Sequence, residues 1–368
     1  MKILLLTENY ATTNFATGKI VKKLIDFDKN INYVVVCKGN DNRHFELNNS
    51  EVYQMPSYYT FGYKNLSTFL YKGYTKIAKH FYPYTLIDRK RFFKLACKII
   101  NKEKRFDAII SVSGWFSTHE SATRIGKKFR IPVYLVYTDP FVGNLSLTHF
   151  KEKRLIKIEK PWLTNSKSIF MPQNYIDKYM NIYENNITSK IIDFELPCIT
   201  EKINSQNTEN FLIYTGGISN RIKDYAAFDS FLYAVDTHVE CFGEKPKKAS
   251  LKNVMFHERV PQKKLKQYIE KAKAILVFDN YFGIQIPSKA IEAVSTNKKI
   301  VFIYYQNNTA CYEFYKKYDD ILFVNFEFIN NTETIKNIKS YLEKDIYINR
   351  RIYTNESQII KVINKLKS

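Results

Sequence analysis

Two groups of residues in this chain have the types and spacing to hold an anion. The first is Pro287-Ser288-Lys289, within the run IQIPSKAIEAVSTNKKIVFI (284–303). Ser is a favoured N-cap and Pro suits the turn entering a helix, so the spacing predicts a helix capped by Ser288. Lys289 then falls in the first turn, where the macrodipole is already positive. That placement costs a few tenths of a kcal/mol, roughly up to 1, unless an anion sits beside it. Glu292 follows three residues on. Its carboxylate is placed either to pair with Lys289 along the helix or to accept two hydrogen bonds from a vicinal diol such as a ribose. The second group follows the apolar run NFLIYT (210–215): Gly216, Gly217, then Arg221 and Lys223. Glycine N–H groups can approach an oxyanion closely, and Arg221 or Lys223 can neutralise it; the plain alternative is a turn. Diphosphate and ribose contacts from one helix end would together describe a nucleotide-diphosphate site.

The elements that must position these residues follow a repeating pattern. KILLLT (2–7), NYVVVCK (32–38), FDAIISVS (106–113) and PVYLVYT (132–138) read as buried strands. Helical periodicity lies between them, from about Gly18 to Phe27, over 89–104 and in THESATRIGKKF. A polar stretch without periodicity, LPCITEKINSQNTE (196–209), reads as a linker, after which the pattern restarts. Further strands are expected at 210–217, 237–244, 253–258, 274–279 and 298–305, and an amphipathic segment, ESQIIKVINKLKS, ends the sequence. Strands alternating with helices of this length imply βαβ crossovers and parallel sheets. The expected fold is therefore α/β with two Rossmann-like doubly wound domains facing a central cleft. Ligands of such sheets bind beyond the carboxyl ends of the strands.

Composition narrows the classes. With 368 residues, 45% apolar and 15% aromatic, the chain is long enough for two folded domains. No run of about 18 apolar residues is present to span a membrane. MKILLLTENY is too short in its apolar part for a signal-peptide core. Five scattered cysteines without a C-x-x-C pair read as reduced thiols in a cytoplasmic protein, with no zinc site. Asp26 and Asp28 form a D-x-D, but at the end of the first helix, remote from strand carboxyl ends; no metal and no cofactor are expected. His119 reads as a surface or cap residue, and Asp319/Asp320 as a turn.

The formal net charge is +21. A chain rich in Lys, Asn, Ile and Tyr, as an AT-rich genome produces, explains part of it; an anionic partner explains the rest. Between Phe61 and Arg105 twelve Lys/Arg face two acids, Asp88 and Glu103, among nine aromatics from Tyr63 to Phe93. Such a mixture suits an anionic bilayer surface, and Lys90, Arg91 and Lys94 are candidates to touch it. It would also suit single-stranded nucleic acid. That reading rests on charge alone, because no helix-turn-helix, zinc or RNP pattern is present, and nucleic acid is not expected as a partner.

Four segments, in order, resemble GT-B glycosyltransferases of family 4: FDAIISVSGWFSTHESATRIGKKFRIPVYLVYTDPF (106–141), IEKPWLTNSKSIFMPQNYIDKY (158–179), YTGGISNRIKD (214–224) and IPSKAIEAVSTNKKIVFI (286–303). The resemblance implies an N-terminal acceptor-binding Rossmann-like domain over 1–195 and a C-terminal nucleotide-sugar domain over 206–345. It also implies a helix within 346–368 packing back on the first domain. It implies a retaining, metal-independent, hexosyltransferase-type enzyme. Lys289 with the Gly216/Gly217 loop would hold the donor diphosphate, Glu292 the ribose, and Pro287 and Ser288 would shape the donor helix start. Gly18 would let the backbone approach donor and acceptor, and Asp139 would lie near the acceptor hydroxyl or else cap the turn before Pro140. Where many members carry two glutamates eight positions apart, this chain has Ile284 and Glu292. Gly217 replaces an Arg that often follows the first loop glycine, with Arg221 and then Lys223 as substitutes, and Thr138 stands where relatives carry His or Arg. The implied function is transfer of a sugar from a nucleotide sugar, expected to be a UDP-sugar, to a lipid-linked or polymeric glycan acceptor. The setting would be capsule or other cell-surface polysaccharide synthesis on the inner face of the membrane, with the enzyme cytoplasmic and peripheral. The alternative is a non-catalytic GT-B partner or chaperone subunit of another transferase.

Overall fold

Runs of aliphatic and β-branched residues become the strands of two separate sheets. The computed structural model describes residues 1–10, 16–39, 42–47, 49–56, 81–84, 86–113, 116–195, 209–216, 225–243, 253–258, 260–281, 283–306, 310–346, 348, 350 and 355–368. They divide into two units, Met1–Ile199 with Thr354–Ser368, and Thr200–Tyr353.

The first unit begins with β1 (Lys2–Thr7), α1 (Ala16–Phe27), β2 (Asn32–Gly39), β3 (Arg43–Leu47) and β4 (Ser50–Pro56). It continues with α2 (Leu86–Glu103), β5 (Ala108–Ser113), α3 (Ser117–Phe129), β6 (Val133–Tyr137) and α4 (Glu152–Thr164). Then come β7 (Ser168–Met171), α5 (Gln173–Ile182), α6 (Asn185–Thr188) and β8 (Ile191–Asp193). The sheet order is β3-β4-β2-β1-β5-β6-β7-β8, parallel except for the β3–β4 edge. β5 and β6 are buried along their whole length, as unbroken apolar runs must be when helices cover both faces. The strand order reverses at β1, so the crevice beyond the carboxyl ends of β1 and β5 is this unit's binding position.

The second unit comprises β9 (Glu209–Thr215), α7 (Tyr225–Val235), β10 (Val239–Phe242), β11 (Val254–His257), α8 (Gln262–Lys271) and β12 (Ala272–Phe278). It ends with α9 (Ser288–Val294), β13 (Lys299–Tyr304), α10 (Ala310–Tyr315), β14 (Ile321–Asn325) and α11 (Thr332–Glu343). Its sheet is fully parallel in the order β11-β10-β9-β12-β13-β14. Numbered within the unit this is 3-2-1-4-5-6, the dinucleotide-fold order, and the switch lies between β9 and β12. Alternate residues feed opposite faces. Leu212, Tyr214, Leu276 and Val301 join one core, and Phe211, Ile213, Ile275 and Phe302 the other.

One last helix, α12 (Asn355–Lys367), returns to the first unit. Ile359, Val362, Ile363 and Leu366 repeat at helical spacing and enter the core that holds Ile20, Val21 and Leu24 of α1. Fully burying each such side chain contributes roughly 1.5–3 kcal/mol before entropy is counted. Lys367 Nζ pairs with Asp28 at 2.6 Å, and the Glu195 N–H donates to Gln358 Oε1 at 3.1 Å.

Candidate functional site

In the second unit the candidate residues gather at the carboxyl ends of β9 and β12. Gly216 directly follows β9. A Cβ there would come within 3.0 Å of the Tyr214 hydroxyl, and the Tyr214 ring is buried edge-on against Phe278. A side chain at this position would therefore have to displace the buried Tyr214 ring by a few tenths of an ångström, which glycine avoids. Gly217, Arg221 and Lys223 lie outside the described residues.

After β12 the chain passes through a tied loop before α9. The Asp279 carboxylate accepts from the Asn280 N–H at 2.7 Å, and Asn280 Nδ2 donates to the Gln285 carbonyl at 2.8 Å. Gly283 has φ 89°, a left-handed conformation that only glycine adopts freely. Pro287, at φ −58°, takes the N-cap position without a side-chain bond, and its carbonyl accepts from the Ala290 N–H at 2.9 Å. The expected Ser288 cap is therefore corrected: Ser288 is the first helical residue and is exposed. Lys289 Nζ stands 2.6 Å from Glu292 Oε2, with the two side chains 32% and 15% exposed. The two residues thus meet as the intrahelical pair, both still partly open to solvent.

Below this turn, Arg350 holds the other end of α9, a residue the sequence reading passed over. Its side chain is fully buried, and Nη1 and Nη2 donate to the carbonyls of Thr296 at 3.0 Å and Lys298 at 2.5 Å. Lys298 is buried too; its Nζ donates to the Ala272 carbonyl at 2.8 Å, and loss of solvent lowers its pKa to about 8.

In the first unit, Gly18 lies buried in the first turn of α1 rather than in the preceding loop. Asp139 is half-buried just past β6. Thr138 Oγ1 donates to the Ser113 carbonyl at 3.1 Å, and the Phe141 N–H donates to Tyr179 Oη at 3.1 Å. Tyr179 in turn donates to the fully buried Glu159 at 2.8 Å, and Tyr183 donates to the other oxygen of that carboxylate at 2.6 Å. Burial raises the Glu159 pKa to about 7, against the lowering effect of the phenol hydrogen bonds. Glu159 thus braces the turn that carries Asp139. The only sign of this in sequence is the spacing of Tyr179 and Tyr183, one helical turn apart.

Two further placements differ from expectation, those of His119 and Arg91. His119 is not on the surface: it is wholly buried in α3, its Nδ1 2.8 Å from Ser111 Oγ and its ring 4.5 Å from that of Tyr137. Desolvation lowers its pKa to about 3, so it stays neutral. Lys90 and Lys94 are exposed on α2, and Lys98 continues their line one turn on. Arg91 leaves that line, because its Nη1 donates to the Pro56 carbonyl at 2.9 Å. Asp26 pairs with Lys22 and Asp28 with Lys367, so the D-x-D carboxylates face separate lysines. Among the described residues no three His, Cys, Asp or Glu side chains are grouped as metal ligands, and no helix is long and apolar enough to cross a membrane. The segment 57–80, with the first part of the aromatic-basic stretch, lies outside the described residues.

No family model matches the chain, and no curated protein matches it in sequence. Solved structures do match it in fold. A sucrose-phosphate synthase from Thermosynechococcus elongatus has a TM-score of 0.63 at 12% identity, covering 98% of this chain and 94% of that one. The Anabaena protein HepE, solved with UDP and glucose, has a TM-score of 0.62 at 11% identity, covering 100% and 99%. The lipopolysaccharide outer core galactosyltransferase WaaB has a TM-score of 0.57 at 12% identity, again covering 100% and 99%. At such identities the likeness is one of fold. The chain has the GT-B fold, with two Rossmann-like domains.

Proposed function

We propose that this chain is a nucleotide-sugar glycosyltransferase resembling family 4. It would move a hexosyl group, retaining anomeric configuration, from a UDP-sugar to a lipid-linked or polymeric glycan acceptor in cell-surface polysaccharide synthesis. The observation that carries the reading is the Lys289–Glu292 pair, 2.6 Å apart at the start of α9 in the Rossmann-ordered second unit. The bound UDP and glucose of HepE, on the same fold, support a UDP-sugar donor.

In this reading Lys289 neutralises the donor diphosphate and gives up part of its bond to Glu292, whose carboxylate then accepts from the ribose hydroxyls. Gly216 brings backbone N–H groups to the phosphates, with Gly217, Arg221 and Lys223 completing the loop and Pro287 and Ser288 shaping the turn. The bond between the anomeric carbon and the diphosphate oxygen breaks as the acceptor oxygen bonds that carbon from the same face. The acceptor's proton passes to the leaving diphosphate, whose charge the cations stabilise. No protein nucleophile and no metal is required. Asp139, on the turn braced by Glu159, orients the acceptor hydroxyl, and Gly18 lets the backbone of α1 come close to it. The exposed line of Lys90, Lys94 and Lys98 would rest the enzyme on the anionic inner face of a membrane.

Calorimetric titration with UDP, GDP, dTDP and CMP tests the donor site. Micromolar binding of one nucleotide, lost in a Lys289→Ala, Glu292→Ala double variant, is expected. Silence from all four would overturn the reading in favour of a non-catalytic GT-B partner subunit, which Ile284 in place of a glutamate already favours.

A further inference from the structure

The far end of α9 is held more firmly than closing a short helix requires. Its last carbonyls are already bonded locally. Ser295 Oγ donates to the Glu292 carbonyl at 2.7 Å, Thr296 Oγ1 to the Ala293 carbonyl at 2.7 Å, and the Thr296 N–H to that same carbonyl at 3.0 Å. Onto this closed end Arg350 adds a fully buried guanidinium. Besides its bonds to Thr296 and Lys298, Nη1 donates to the Ala293 carbonyl at 3.4 Å and Nε to Asp320 Oδ2 at 2.9 Å.

These partners lead into the sheet. Lys298 stands just before β13, and its Nζ donates to the carbonyl of Ala272, the first residue of β12. Asp320 stands just before β14, and its carbonyl accepts from Tyr341 Oη at 2.8 Å. The Ile300 N–H of β13 donates to the same phenol oxygen at 3.0 Å. One guanidinium, directly or through one neighbour, thus ties the end of α9 to the amino ends of three adjacent strands. A buried ion pair is a weak source of stability, because desolvation consumes much of the attraction between its charges. What a planar fork of five donors supplies instead is direction.

We infer that Arg350 is a positioning residue for the donor site, acting through α9. The inference rests on the nucleotide-sugar reading of that site. α9 has seven residues, about two turns, so it moves as one piece. It lies on the sheet through Ala290, Ala293 and Val294, small apolar contacts that have no directional preference along the helix axis. The guanidinium provides the directional ties that these side chains do not. Glu292 immediately precedes Ala293, and Lys289 pairs with it at 2.6 Å. A shift of α9 along its axis would carry both residues away from a bound diphosphate and ribose while leaving their own ion pair intact.

Two measurements on the full chain test this role. The probe is UDP, or whichever of GDP, dTDP and CMP the wild type binds in its place. Arg350→Lys keeps a cation beside Asp320 but cannot reach three carbonyls at once. It should bind the nucleotide about tenfold more weakly, the effect of one misplaced charge-assisted hydrogen bond. Asp320→Asn leaves the carbonyl ties in place; its unfolding midpoint should fall while its affinity stays that of the wild type. The penalties of Arg350→Lys and Lys289→Ala should not add, since a displaced lysine and an absent one lose the same contact. The second measurement needs no variant to fold. Coupling is reciprocal, so nucleotide should slow hydrogen exchange at the Ser295 and Thr296 amides of the wild type, at the end of α9 away from Lys289. Full affinity in folded Arg350→Lys, affinity that falls with stability alike in both variants, additive penalties, or unchanged exchange at those amides would each overturn the positioning role and leave the donor reading standing. Silence of the wild type toward all four nucleotides would sink the donor reading and this role with it.

Discussion

Arg350 and Asp320 form a largely buried ion pair, Nε to Oδ2 at 2.9 Å, and the same guanidinium donates to the Ala293 carbonyl at the carboxyl end of α9 at 3.4 Å and to the carbonyls of Thr296 and Lys298 just beyond it. The helix carrying Lys289 is thereby pinned at its far end by a residue more than fifty positions away. Arg350→Ala would remove the partner that Asp320 and three carbonyls share. Removing one member of a buried charged pair costs about 3 kcal/mol or more. Urea unfolding should show a loss of that order, and a loss below about 1 kcal/mol would mean the helix end holds without it.

Lys289→Ala should behave in the opposite way. Its ion pair is partly exposed, and such pairs contribute at most about 1 kcal/mol. Stability should barely move while nucleotide affinity falls at least tenfold. A variant that loses stability but keeps its affinity would assign Lys289 to structure alone.

Two buried groups pull the pH dependence in opposite directions. Glu159 has its pKa raised from 4.5 to about 7, so the folded state holds a proton that the unfolded state has lost, and stability falls as pH rises across that window. The shift corresponds to about 3 kcal/mol. His119 has its pKa lowered from 6.5 to about 3, so its contribution is present above 6.5 and is lost as pH falls toward 3. Glu159→Gln removes the first effect only. Its stability relative to wild type should therefore improve between pH 5 and pH 7.5, by unfolding at both values. Burial raises the Glu8 pKa as well, so some of the same slope should remain. An identical difference at both pH values would show that Glu159 does not titrate there.

Lys90, Lys94 and Lys98 replaced together by Glu should weaken sedimentation with phosphatidylglycerol vesicles at least fivefold, and less so as salt rises and screens the charges. Arg91→Glu should instead lower the unfolding midpoint, because Arg91 is bonded to the Pro56 carbonyl beside Asp88. Unchanged vesicle binding in the triple variant would take α2 out of the membrane model.

The long apolar strands were legible because burial on both faces leaves an unbroken aliphatic run, as in KILLLT and NYVVVCK. β3 and β4 were not: RHFEL and SEVYQMP form the sheet's edge, where polar residues alternate with apolar ones and propensity is weak. Lys289 and Glu292 could be read as a pair because helical spacing brings them together locally. Glu8 with Ser117, 109 residues apart, and Arg350 with the end of α9 could not, because only the sheet topology makes them neighbours. His119 was misplaced for the same reason: a lone histidine near a strand end carries no sign of the Ser111 and Tyr137 side chains that enclose it.

The return of α12 to the core of α1 makes the second unit an insertion, entered after residue 199 and left before residue 354. The first unit is therefore discontinuous in sequence, like a sentence broken by a long parenthesis. Residues 1–195 made alone would expose an aliphatic groove shaped for Ile359, Val362, Ile363 and Leu366. A protease cut in the 196–208 crossing would give two bands under denaturing conditions but one species in native buffer, with α12 acting as the clasp.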